Sequence, residues 1–126
     1  MIDKGRNSAR AVVAAWDGAG NRRAIGFTTR VVYWSDAGSP VEVRTNVQPT
    51  QLKFSPDSKL LGLAGAPLAA AMVDVDTGTF TELGAGLRRM LDDGTLGLEW
   101  TASPQRMIHL RKRGLTVWDG RVKCLT

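Results

Sequence analysis

Cysteine, histidine and long apolar runs are scarce in this sequence, and each scarcity removes a class of function. One cysteine, Cys124, cannot close an intrachain disulfide, and with the single histidine, His109, it supplies too few donors for a three- or four-ligand zinc site. The two counts favour a reducing, cytoplasmic setting, and no metal or other cofactor is expected. A hydrolytic triad needs a histidine beside a serine or cysteine and a carboxylate. His109 sits in the run Met107-Ile108-His109-Leu110, where strand alternation sets it opposite Ile108 and a structural role is expected. The most apolar stretch, residues 60–75, is broken by Gly62, Gly65, Pro67 and Asp74, so no membrane-spanning helix and no membrane partner are expected. The opening Met1-Ile2-Asp3-Lys4-Gly5-Arg6 has no apolar core of the kind a secretory signal carries. Gly18 with Gly20, and Gly84 with Gly86, do not follow a strand and open a long helix, so no phosphate-cradling loop is read. The carboxylate pairs Asp92-Asp93 and Asp74 with Asp76 read as turn and strand-end residues. The chain is therefore read as not an enzyme.

What is present describes a folding domain with a basic balance. Hydrophobic residues make up 43% and charged residues 23%, ordinary globular values that argue against disorder. Seventeen Lys and Arg against twelve Asp and Glu give a net charge of +5, which favours acidic partners without choosing among them.

The chain also repeats itself. Three units each open on a run closed by an aromatic residue, at Trp16, Phe54 and Trp100, and each carries a later run closed by an aspartate, at Asp36, Asp76 and Asp119. The aromatic-to-aspartate distances are 20, 22 and 19 residues and the aspartate-to-aspartate steps are 40 and 43, a period of blade length and not of a helical repeat. Runs such as Val31-Val32-Tyr33-Trp34 and Val41-Glu42-Val43 are β-branched or aromatic. Between them stand turn formers, Asp17-Gly18-Ala19-Gly20-Asn21, Ser55-Pro56-Asp57-Ser58 and Asp76-Thr77-Gly78. The spacing predicts four short strands per unit and about twelve in all, with helix confined to about one turn near residues 87–91 in the connector from Gly84 to Gly94. Residues 1–8 read as a tail, and 9–126 as one domain of units spanning roughly 9–46, 47–86 and 95–126. Trp16, Phe54 and Trp100 are expected to be buried and equivalent; Trp34 and Trp118 likewise read as packing residues.

The string Phe54-Ser55-Pro56-Asp57-Ser58-Lys59-Leu60-Leu61, followed by Val73-Asp74-Val75-Asp76-Thr77-Gly78, resembles a blade of the WD-repeat and TolB-like β-propellers. Thr116-Val117-Trp118-Asp119-Gly120 is similar to the third-strand signature of the same blades. The resemblance implies an all-β fold of three four-stranded antiparallel blades, a half-propeller serving as a non-catalytic scaffold for protein partners. Rings hold four to eight blades, so three would close by oligomerisation, a homodimer of six blades being expected, with a longer parent propeller or a different partner chain as the alternatives. In the dimer Val12, Val13, Ala15 and Val32 would face Val117, Cys124 and Leu125 of the other copy. A propeller would also bring the hairpin Arg111-Lys112-Arg113-Gly114 and the connector cations Arg88 and Arg89 to one face of the disc, where guanidinium groups suit phosphate or carboxylate. That face is read as the binding site for an acidic protein surface, or alternatively for nucleic acid.

Overall fold

Short β-branched and aromatic runs cut by turn formers leave the chain no room for anything but hairpins, and hairpins are what form. The computed structural model of the chain describes residues 13–18, 20–35, 38–45, 48–66, 70–83, 95–111, 114–120 and 122–125. Among these residues there are twelve strands and no helix. The first sheet holds β1 (Val13–Trp16), β2 (Arg22–Gly26), β3 (Arg30–Ser35) and β4 (Val41–Arg44). The second holds β5 (Gln48–Phe54), β6 (Leu60–Ala66), β7 (Ala70–Asp74) and β8 (Thr79–Leu83). The third holds β9 (Thr95–Ala102), β10 (Gln105–Arg111), β11 (Gly114–Asp119) and β12 (Val122–Leu125). Each sheet is an antiparallel meander in chain order, so every connection within it is a hairpin.

The sheets stack face to face with the second in the middle. Its one face, Leu52, Phe54, Leu61, Leu63, Ala71 and Val73, packs on Ala15, Ala24, Val31, Tyr33 and Val43 of the first sheet, with Val13 half-buried against the same cluster. Its other face, Ala64, Ala70, Met72 and Leu83, packs on Leu98, Met107 and Trp118 of the third. Alternation along β6 supplies both seams from one strand, Leu61 and Leu63 to one side, Gly62 and Ala64 to the other. The side-chain-free Gly62 is required by its neighbours: a Cβ there would lie 2.5 Å from Met107 Sδ and 3.3 Å from Trp100 Cζ2.

Two sequence expectations change at this level. Trp16 is 64% exposed while Phe54 is buried at 6%, so the three unit-opening aromatics do not share one environment. Asp76 does not close a strand; β7 ends at Asp74, whose carboxylate accepts the backbone N–H groups of Asp76 (3.0 Å) and Thr77 (3.1 Å) and builds the turn that Gly78 completes at φ 76°. Asp36 and the connector residues 84–94, where a helical turn was expected, lie outside the described residues.

Candidate functional site

A recurring clasp locks the first hairpin of each sheet. The residue after the unit-opening aromatic carries a short side-chain oxygen, Asp17, Ser55 or Thr101. That oxygen accepts a backbone N–H at the start of the second strand, from Arg22 (3.2 Å), Leu60 (3.0 Å) and, one residue into its strand, Arg106 (3.1 Å). Sequence reading took these turns one at a time and missed the device, although its signal, a polar residue directly after Trp16 and Phe54 and again after Trp100, stood in register.

The same turns tie neighbouring sheets together. Ser58 donates its hydroxyl to Asp17 (2.9 Å), and the Arg22 guanidinium donates to the Ser58 carbonyl. Gln105 both accepts from the Asp57 backbone N–H (3.1 Å) and donates to the Asp57 carboxylate (3.3 Å). Burial by itself would push the Asp17 carboxyl up. The backbone N–H of Arg22, the Ser58 hydroxyl and the backbones of Asn21 and Gly20 together outweigh it and hold the group below the usual carboxylate range. Asp57 is held down in the same way, burial being outweighed by the Lys59 backbone, Ser55, Gln105 and the Lys59 charge. Tyr33, which donates to the Val75 carbonyl at 2.8 Å, is pushed up by burial and then by the charges of Asp74 and Asp76, against the pull of Arg22.

The outer faces of the end sheets differ from the seams. On the first sheet, register sets Ala14, Ile25, Val32 and Glu42 in one row and Trp16, Arg23 and Trp34 in the next. None of these is buried, and the Arg23 guanidinium lies 5.0 Å over the Trp34 ring. On the third sheet, Ile108, Leu110, Leu115 and Val117 are half-buried on the side away from the second sheet. The middle sheet gives the contrast, since Leu61, Leu63, Ala71 and Val73 on one of its faces and Ala64 and Ala70 on the other are all at 0% exposure. Among the described residues no group of three His, Cys, Asp or Glu is placed to hold a metal ion.

No family model and no curated protein matches the sequence. Solved structures do match. The β-propeller domain of Cps50 (Swd1) from Myceliophteria thermophila is similar over 94% of this chain and 41% of its own, with a TM-score of 0.71 and 17% identity. A structure described as the eukaryotic initiation factor is similar over 93% of this chain and 32% of its own, with a TM-score of 0.65 and 14% identity. The three sheets are β-propeller blades. The chain spans less than half the length of either of these chains, and at such identities the likeness speaks for fold alone.

Propeller order gives each blade a face toward the blade before it and a face toward the blade after it. The rows Phe54–Leu61–Val73 and Trp100–Met107–Trp118 face the preceding blade, and the row Trp16–Arg23–Trp34 holds the same position in the first blade. Trp16 is thus equivalent to Phe54 and Trp100 by register; it is exposed because no blade among the described residues lies against it. This relation also sorts the residues singled out from sequence. Val13 and Ala15 point into the seam with the second blade, so neither belongs to an outer face; Ala14 and Trp16, one residue along, do. Val32 lies on the outer face of the first blade and Val117 on that of the third. Leu125 pairs with Val117 through the backbone, and Cys124 lies beside it in β12. Arg111 ends β10 opposite Gly114, whereas Val12, Arg88, Arg89, Lys112 and Arg113 lie outside the described residues. The face expected to gather the five cations thus lies outside the described residues, apart from the backbone of Arg111.

Proposed function

We propose that this chain is the three-blade part of a non-catalytic β-propeller scaffold whose outer faces are covered by further blades, and whose completed disc binds protein partners. The observation that carries the reading is the contrast between seams and ends. The seams in the middle of the arc are centred on fully buried side chains, Leu61, Leu63, Ala71 and Val73 on one and Ala64, Ala70 and Met107 on the other, while the outer faces with Trp16, Ile25, Val32 and Trp34 at one end, and Ile108, Leu110, Leu115 and Val117 at the other, keep apolar surface uncovered. Contiguous apolar rows on two sheet faces mark association surfaces. The net charge of +5 favours an acidic partner surface for the assembled disc.

A dye that fluoresces on apolar surface tests this. The folded chain, diluted until monomeric, should bind the dye, and combining Val32→Lys with Ile108→Lys should abolish binding while the strand signal in circular dichroism is retained. A folded monomer that binds no dye has no faces to complete, and the reading fails.

A further inference from the structure

We propose, resting on the reading above, that a second copy of this chain covers the outer faces: the first blade of one copy seats on the third blade of the other, so that two copies repeat one junction twice and close a two-fold ring.

The two seams within the chain show how a junction is packed. At the second seam Gly62 sits beneath Leu98, Trp100 and Met107 of the following blade, whose atoms come within 3.4 Å of where a Cβ would be. At the first seam the position of Gly62 is taken by Ala24, and those of Leu98, Trp100 and Met107 by Leu52, Phe54 and Leu61, all in one cluster. Both seams therefore set a small residue under a leucine. On the free faces the sizes are exchanged. Ile108 holds the position of Gly62 and Ala24, and Ala14 holds that of Leu98 and Leu52. Facing each other across copies, the side chain gained at Ile108 fills the space lost at Ala14, a nearly volume-conserving swap.

Polar complementarity points the same way. Across the second seam the Trp100 indole N–H donates to the Lys53 carbonyl at 2.9 Å. Trp16 holds the equivalent position and its indole N–H has no partner among the described residues; the carbonyl equivalent to that of Lys53 is that of Glu99 in the second copy. Among the described residues the outer face of the first blade carries Arg23, Arg30 and Arg44 against Glu42, whereas on the third Asp119 pairs with Arg106 and Glu99 with Lys53 of the second blade, so a net-positive surface would meet a balanced one rather than one of like charge. Two repeats of such a junction close the assembly by cyclic symmetry and leave no uncovered end.

Sedimentation equilibrium over a wide concentration range tests the proposal. A species of two copies is expected. Ala14→Leu, which overpacks Ile108, and Ile108→Ala, which leaves a hole over Ala14, should each weaken association by about tenfold, whereas the double variant restores the large-over-small pattern of the internal seams and should return to within about threefold of the parent. Trp16→Phe, which keeps the ring and deletes the N–H, should weaken association severalfold, with circular dichroism unchanged in all variants. Losses that simply add in the double variant, or a folded monomer at every concentration, overturn the second copy as the occupant. A monomer that still binds the apolar dye leaves the scaffold reading standing with a different chain's blades on its ends; one that binds none removes both.

Discussion

Adding one methyl group at Gly62 probes how the seams hold. The new Cβ would lie 2.5 Å from Met107 Sδ, 3.3 Å from Trp100 Cζ2 and 3.4 Å from Leu98 Cδ2, and Met107 is fully buried with no free side to move into. Two effects compete. Alanine is preferred over glycine in a strand interior by about 0.5–1 kcal/mol, while forcing a carbon into a packed interior costs about 1–3 kcal/mol. The contact is too short to be absorbed, so a net loss of roughly 1–2 kcal/mol is expected for Gly62→Ala. The first seam supplies the remedy, because there Ala24 and Leu61 occupy the positions of Gly62 and Met107. Met107→Leu alone is close to volume-conserving and should cost less than about 1.5 kcal/mol. Combined with Gly62→Ala it should recover at least half of the loss, a coupling of about 1 kcal/mol. Urea unfolding monitored by circular dichroism, with an unchanged m-value, measures all four corners of the cycle. If Gly62→Ala is neutral or stabilising, or the two losses merely add, the packing account of the seam is wrong.

Register-equivalent aromatics should respond unequally: Phe54→Ala should lose about 3–5 kcal/mol, and Trp16→Ala in the diluted monomer about 0.5 kcal/mol or less, in urea titrations of each. Comparable losses would mean that Trp16 is covered within the chain. Ser58 sits at φ 63° and donates to Asp17, so Ser58→Ala, which keeps the strained backbone and loses the bond, should destabilise by about 1 kcal/mol. Ser58→Gly should cost less, and the reverse order in thermal unfolding would refute this balance. Asp17 and Asp57 have folded pKa values below those of the unfolded chain, so the unfolded state takes up protons first as acid is added. Their contribution is therefore present above the ordinary carboxylate range and is lost as pH falls through the lower folded values. Asp17→Asn should flatten the acid limb of the stability curve, and a parent-like slope in that variant would show that the carboxylate is not the group responsible.

The local code of this chain was open to reading from residues alone. A period of two in hydrophobicity, aromatic landmarks at matching distances and turn formers between them act within a few residues of each other, and they determine the hairpins, the three units and the likeness to propeller blades. Alternation also divides each strand into two faces, Val13 and Ala15 from Ala14 and Trp16, but it carries no sign that says which face meets a neighbour. That choice belongs to the stacking of sheets, a contact between residues some forty positions apart, such as Trp100 with Lys53 or Ser58 with Asp17. So the sequence placed Trp16, Phe54 and Trp100 in one class, correctly by register, and only the tertiary structure separated them: Phe54 and Trp100 have a blade in front of them and Trp16 has water, and burial depends on what lies opposite a side chain rather than on the pattern that carries it.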